Sequence, residues 1–347
     1  MQIFQEKLLK VLEMYQNDFD NIVNNFFDDK EKYNSLIDKY SNDIEDEVDK
    51  NYLLRARLSF SIIYYKNLNA LNKEAVKNII IHLFNEELKD RKTSKYKGIG
   101  IALESLTFLL NKYSKDNKDL FEEAKKANTD CSIGYDSNIK FESDIEKLSI
   151  QYCMHYALEL GFKDLYNELI DIWKSSIEKW DRINLERLRD FEIEIGNKDG
   201  ELESNKKLYS LAKDDYDKNK QNQILSKKYL FYLVSYLSSY IENLIRASKY
   251  DDALNTILTN IEDIKIINNN AFYNIHAGLS ITDNASKIII NTDINDKTKV
   301  LWEFIKIAFI NEHNTYSKTI YDNFINAADK MNDLELKEKV LKEIKKD

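Results

Sequence analysis

Across 347 residues the chain contains no proline and only seven glycines, at Gly98, Gly100, Gly134, Gly161, Gly196, Gly200 and Gly278. An average composition would supply roughly 17 prolines and 24 glycines. The residues that punctuate turns and break helices are therefore nearly missing, and the fold class this predicts is all-α.

Composition sets further limits. With 43% hydrophobic and 12% aromatic residues there is ample material for a continuous core, which excludes a disordered chain. Two cysteines, Cys131 and Cys153, are too few for a disulfide framework. The opening Met1 to Glu6 lacks a cationic segment followed by an apolar run, so no secretory signal is read and the expected location is cytoplasmic. The longest uncharged stretch, Ile266 to Thr282, is laced with Asn268, Asn269, Asn270, Asn274 and His276, and the more apolar Tyr229 to Ile241 is shorter than the ~20 residues that span a bilayer. No membrane partner is expected. A net charge of −9 opposes general binding to nucleic-acid phosphates, while leaving room for a local basic surface.

Phe4, Leu8, Val11, Tyr15, Phe19, Ile22 and Phe26 recur at spacings of four and three, one apolar face of a first helix. A weaker pattern through Tyr33, Leu36, Ile37, Tyr40 and Ile44 ends in the acidic segment Asp43 to Asp49, read as a solvated face or loop. Helices follow from about Tyr52 to Leu68, from the N-cap Asn72 to Leu88, from about Ile101 to Tyr113 and from about Lys118 to Asn128. Lys89 to Gly100 reads as a basic loop between two of them. Asn128 to Phe141 carries turn chemistry without a helical period, and Ser143 with Glu146 reads as a capping box opening the next helix. The expected organisation is an N-terminal helical region over 1–127, a loop over 128–142, a helix-hairpin region over 143–264 and a C-terminal helical region over 265–347, or one continuous array.

Within the third region helices pair around short turns at Gly161, at Gly196 to Gly200 and at Ser248 to Tyr250. The run ASKYDDAL from Ala247 to Leu254, with Ile257 and Ile261 behind it, resembles the turn and second helix of a tetratricopeptide-type repeat, Ala253 taking the small position where helices cross. The stretches from Gly161 to Leu165 and from Gly196 to Leu202 resemble the same turn. The family's small residue in the first helix falls on Ile241, and its terminal proline is absent everywhere. The resemblance, over about residues 149–264, implies a superhelix of hairpins, and the architecture expected is an irregular α-solenoid of antiparallel helix hairpins. Between Lys265 and Thr298 the asparagines make a turn, and Ile281 with Ile288 to Ile290 is read as helix in preference to strand.

No catalytic, cofactor or metal site is read. Cys153 and His155 are two apart on a helix and diverge around its axis, unlike zinc ligands spaced three or four apart. The calcium-loop mimics at Asn197 to Gly200 and at Asp215 to Asn219 lack the carboxylates the ion needs. Carboxylates such as Glu192 and Glu194 diverge for the same reason as Cys153 and His155. Three surfaces remain. Tyr229, Tyr232, Tyr236 and Tyr240 form one stripe beside an aliphatic stripe of Leu230, Leu233, Leu237, Ile241 and Leu244. They are the candidate partner-binding residues, although a helix packed on two sides would bury both stripes. Trp173 and Trp180, with Ile177, read as core. The basic loop with Lys89, Arg91, Lys92, Lys95, Tyr96 and Lys97 reads as solvated, with phosphate binding as the alternative. The function expected is a helical scaffold without catalytic activity that binds a protein or peptide. One version is an immunity-type inhibitor that covers a basic partner, steered by the acidic surface. The alternative is a peptide-sensing receptor, and an enzyme with a dispersed site is the third class.

Overall fold

The computed structural model describes residues 1–114, 116–266, 272, 275–310 and 316–344. The fold is all-α, in two compact units, Met1–Ile177 and Glu178–Asp347.

The first unit comprises α1 (Ile3–Asn25), α2 (Lys30–Asp38), α3 (Tyr52–Ile63), α4 (Lys73–Arg91), α5 (Gly100–Tyr113), α6 (Lys118–Lys125), α7 (Thr129–Gly134), α8 (Ile150–Glu159) and α9 (Lys163–Ser175). The acidic segment folds into a minimal antiparallel ladder, β1 (Ile44–Glu45) with β2 (Val48–Asp49), closed by Asp46 and Glu47 at positive φ. On α1 the buried face is Leu8, Leu12, Tyr15, Phe19 and Ile22, as the spacing requires. That face packs on α3, which also meets α4 and α5 and is enclosed almost all round. Burial on every side explains why its apolar run shows little amphipathic bias.

A loop region of its own does not form at 128–142. Tyr135 is buried with its hydroxyl against that of Thr107, and the Phe141 ring packs among Phe60, Phe108 and Tyr156, so the segment belongs to the first unit's core. The capping box at Ser143 does not form either. α8 starts at Ile150 behind the N-cap Ser149, and Asp144 caps only a short 3-10 turn at Ile145–Lys147. Contacts made by this aromatic segment, invisible to a local pattern, move the division from residue 142 to residue 177.

The second unit comprises α10 (Arg182–Glu194), α11 (Lys198–Asn219), α12 (Leu225–Arg246), α13 (Tyr250–Lys265), α14 (His276–Asn291), α15 (Asp296–Ile305), the single turn α16 (Ile307–Ile310), α17 (Lys318–Lys330) and α18 (Leu334–Ile344). Successive pairs stack in chain order, as in an α-solenoid: α12 lies on α14 and α14 on α17, while α13 lies on α15. One core runs through the stack from Leu230 to Val340. The stretch Ile281 to Ile290 is helical, and the asparagine turn expected at 268–270 lies outside the described residues.

Four of the hairpins close in the same way. After α8, α10, α12 and α17 the chain makes a three-residue link whose middle residue is left-handed: Gly161 (φ 67), Gly196 (φ 71), Ser248 (φ 58) and Asn332 (φ 59). At each link the residue after it donates to the carbonyl five back, Phe162 to Ala157, Asn197 to Glu192, Lys249 to Leu244 and Asp333 to Ala328, at 2.8–2.9 Å. The left-handed residue itself donates to the carbonyl three back, which completes a Schellman motif. A left-handed backbone costs an L-residue about 1–2 kcal/mol that glycine does not lose. Space around a Cβ at Gly196 is open, so Gly196→Ala should lower stability by about 1–2 kcal/mol through backbone strain alone. Ser248→Gly should raise it by roughly 0.5–1 kcal/mol. Denaturant melts of the two variants check both signs.

The first unit also buries a string of ions. The Arg55 guanidinium, fully enclosed, pairs with Asp49 at 2.5 Å and with Glu87 at 2.7 Å. Glu87 holds Arg91 at 2.7 Å, and Asp90 pairs with Lys97. Burial works to raise the Asp49 carboxyl, but the amides of Asp43 and Asn51 and the Arg55 charge outweigh it and hold the group below its ordinary value. A depressed carboxyl stabilises the fold above its unfolded pKa, and that contribution disappears as pH falls through the folded value. Melts taken from pH 6 to pH 2 should therefore show an acid limb that Asp49→Asn flattens, the variant being less stable at neutral pH but losing less on acidification.

Candidate functional site

The aliphatic stripe of α12 is core, Leu230, Leu233, Leu237, Ile241 and Leu244 being 0–6% exposed. Three of its tyrosines, Tyr232, Tyr236 and Tyr240, face α10 and α11. Tyr236 is 7% exposed and packs with Leu185, Leu208 and Ala212, and its hydroxyl donates to the Glu186 carboxylate on α10. Burial, reinforced by that carboxylate, pushes the phenol far up, so Tyr236 stays a proton donor held inside the unit. Of the four candidate partner-binding tyrosines, Tyr236 follows the alternative reading, in which a helix packed on two sides buries it. The ring fills the place where three helices meet and has its polar partner there. Tyr240 is half-buried, stacked on Tyr209 of α11 with centroids 5.5 Å apart.

Tyr229 and Tyr232, at the start of the stripe, keep part of their surface in solvent. The Arg182 guanidinium lies 4.3 Å from the Tyr232 ring centroid and pairs with Asp215 at 2.7 Å, so α10, α11 and α12 are tied at one edge. The Lys228 ammonium stands 6.0 Å from the Tyr229 ring and 5.9 Å from that of Tyr232. On the same helix end Phe231 is 56% and Ile224 82% exposed. The start of α12 thus carries aromatic rings beside cations on one side, while Phe231, two residues after Tyr229, is open on another.

Other sequence candidates are placed as follows. α4 continues through Arg91, so Lys89 and Arg91 lie on a helix, and the loop proper begins at Lys92. Arg91 belongs to the buried ion string, and its guanidinium donates to the carbonyls of Lys97 and Gly98. Trp173 is core at 1% exposure, but α9 ends at Ser175 and Trp180 is 39% exposed, so the two do not share a helical stripe. Asn197 is the N-cap of α11, accepting from the Gly200 amide, which makes the calcium mimic a helix start. Cys131 and Cys153 are buried free thiols, and burial pushes the Cys153 thiol up to about 12. His155, two residues on, is exposed on the other side of α8. Its charge works against the rise of the half-buried Glu104 carboxyl, which burial and then the Glu159 charge push above the ordinary value. Among the described residues no group of three or more His, Cys, Asp or Glu is arranged to hold a metal ion, and no helix is long and apolar enough to cross a membrane.

The ion string is the feature that pattern reading missed. Its signal was Arg55, a cation in the middle of the strongly apolar run beginning at Tyr52, which demands a partner once that helix is buried.

No protein family and no curated protein matches the chain. Among solved structures it is similar to a circular tandem repeat protein with novel repeat topology and enhanced subunit contact surfaces, at 11% identity over 99% of this chain and 71% of that one, with a TM-score of 0.17. So distant a likeness carries no weight.

The two halves of the stripe should respond differently to substitution. Tyr236→Ala, which empties a three-helix crossing, should cost about 3–5 kcal/mol of folding stability. Tyr236→Phe should cost about 1.5–3 kcal/mol, the worth of a hydrogen bond to a charged group. Tyr229→Ala, on a half-exposed ring, should stay under about 1 kcal/mol. Equal losses at Tyr229 and Tyr236 would contradict the placement.

Proposed function

We propose that this chain is a cytoplasmic helical scaffold that binds another protein or a peptide without catalysing a reaction, and that Tyr229, Tyr232, Phe231 and Ile224 form its docking edge. The observation that carries the reading is that Tyr229 and Tyr232, held near Arg182 and Lys228, stay partly open at a helix start where Phe231 and Ile224 are also exposed. Aromatic side chains already ordered in the free protein lose little entropy on binding, and such residues dominate interface energies. The tetratricopeptide-type likeness belongs to this reading. It draws support from the α12–α13 hairpin, where Ala253 is wholly buried after the left-handed Ser248. In its finer form the scaffold is an immunity-type cover for a partner of positive net charge, drawn in by the net charge of −9, with an acidic group of that partner meeting Arg182 and Lys228.

Affinity capture with the wild type, Phe231→Asp and Tyr232→Ala tests this. A stoichiometric protein or a tightly held peptide should be retained by the wild type, and each variant should bind it about 1–2 kcal/mol more weakly, with Phe231→Asp changing the melting temperature little. If wild type and variants retain the same molecules equally well, the edge is not the docking surface.

A further inference from the structure

The protein carries a net negative charge, yet one groove of the first unit collects four lysines. Lys92 and Lys95 from the loop after α4, and Lys125 and Lys126 from the end of α6, wall a groove of about 580 Å³ whose floor includes the hydroxyl residues Ser94 and Thr129. The loop that carries Lys95 is fixed from beneath. The Asn128 amide donates to the carbonyls of Arg91 and Lys97, the Thr129 amide donates to the carbonyl of Lys95, and Arg91 grips the carbonyls of Lys97 and Gly98 from the buried ion string.

The charge of the groove is only partly compensated. Lys92 pairs with Glu123, and Lys126 approaches Glu122 at 3.9 Å, both exposed pairs of the kind that contribute little and open readily. Lys95 and Lys125 form no ion pair among the described residues, and the Lys95 ammonium lies 5.2 Å from the ring of Tyr96, which is 67% exposed. Holding four like charges around one concavity is unfavourable unless an anion enters. Lysines bind phosphate as point charges, and hydroxyls donate to phosphate oxygens, which accept several bonds at once. That combination fits phosphate.

We propose that this groove binds a chain of phosphate groups, carried either by the polyphosphate tail of a nucleotide or by single-stranded nucleic acid whose bases stack on Tyr96. The site lies on the first unit and does not rest on the docking edge of the second.

Titration calorimetry of the full chain with inorganic tripolyphosphate, a short oligothymidylate and a poly-glutamate peptide of equal charge tests it. Tripolyphosphate should bind, more weakly as salt rises, and Lys95→Glu with Lys125→Glu should reduce its affinity by roughly tenfold or more. The same charge change at Lys218 and Lys220 on the second unit should leave it within about twofold, since screening confines the effect to nearby charges. An oligothymidylate that binds more tightly than tripolyphosphate, with the excess lost in Tyr96→Ala, identifies nucleic acid as the source; equal or weaker binding identifies free polyphosphate. Melting curves confirm that the exposed substitutions leave the fold intact. The proposal is overturned by absence of tripolyphosphate binding, by an equal loss in the control variant, or by poly-glutamate binding as tightly as tripolyphosphate.

Discussion

A chain without proline has no residue that forbids another turn of helix, so each helix must be stopped by backbone geometry. At four helix ends the stop is a left-handed residue with two hydrogen bonds back into the last turn, at Gly161, Gly196, Ser248 and Asn332. Because the link is only three residues long, the next helix has no room to leave and returns along the one before it. Two amphipathic faces are thereby brought together at each link, and in the second unit successive pairs share a single core from Leu230 to Val340. The turn is local chemistry; the stack is its consequence.

That origin explains what was legible in the sequence. The pairs around Gly161, Gly196 and Ser248 could be read because their signals, apolar periodicity and a turn residue, lie within a few positions of one another. α10, α12 and α13 end or begin at the turns so read, while α11 opens at Lys198, inside the turn read from Gly196 to Gly200. At Asn332 the same turn forms without glycine, inside a stretch read as a C-terminal helical region. Some boundary errors are local, such as the cap at Ser149 in place of Ser143, but the failures that matter for the site involve partners distant in sequence. Tyr236 is interior because Glu186, fifty positions away, receives its hydroxyl. The 128–142 segment joins the first unit because Phe141 finds Phe60 and Phe108. A periodicity shows that a side chain lies on a given face of a helix, but not which helix covers that face. For the tyrosine stripe this meant that exposure could not be read from spacing: Tyr236 is closed off while Tyr229, Tyr232 and Tyr240 stay partly open.

Charge shows the same division between local and distant. The run from Lys89 to Lys97 looks uniformly basic on paper, but the fold sorts it. Arg91 and Lys97 turn inward to Glu87 and Asp90, while Lys92 and Lys95 turn to the groove. A stretch that reads as one solvated loop is half interior lattice and half surface.

The interior half bears on why the ions are there. Charges buried as deeply as Arg55 and Glu87 give up their hydration, and well-packed apolar residues of similar volume often leave a protein as stable or more so. Stability alone therefore does not account for the string. An apolar substitute for Arg91 could fill its volume but could not reach out to the carbonyls of Lys97 and Gly98, nor could one for Asp90 hold the Lys97 ammonium. What the ions add is a fixed path for the loop, with Asn128 closing it from the α7 side. The hydrogen bonds to its carbonyls hold the backbone that carries Lys92 and Lys95, so a ligand entering the groove would not have to order the loop first. On that argument the costliest interactions in the first unit serve the geometry of its most cationic surface.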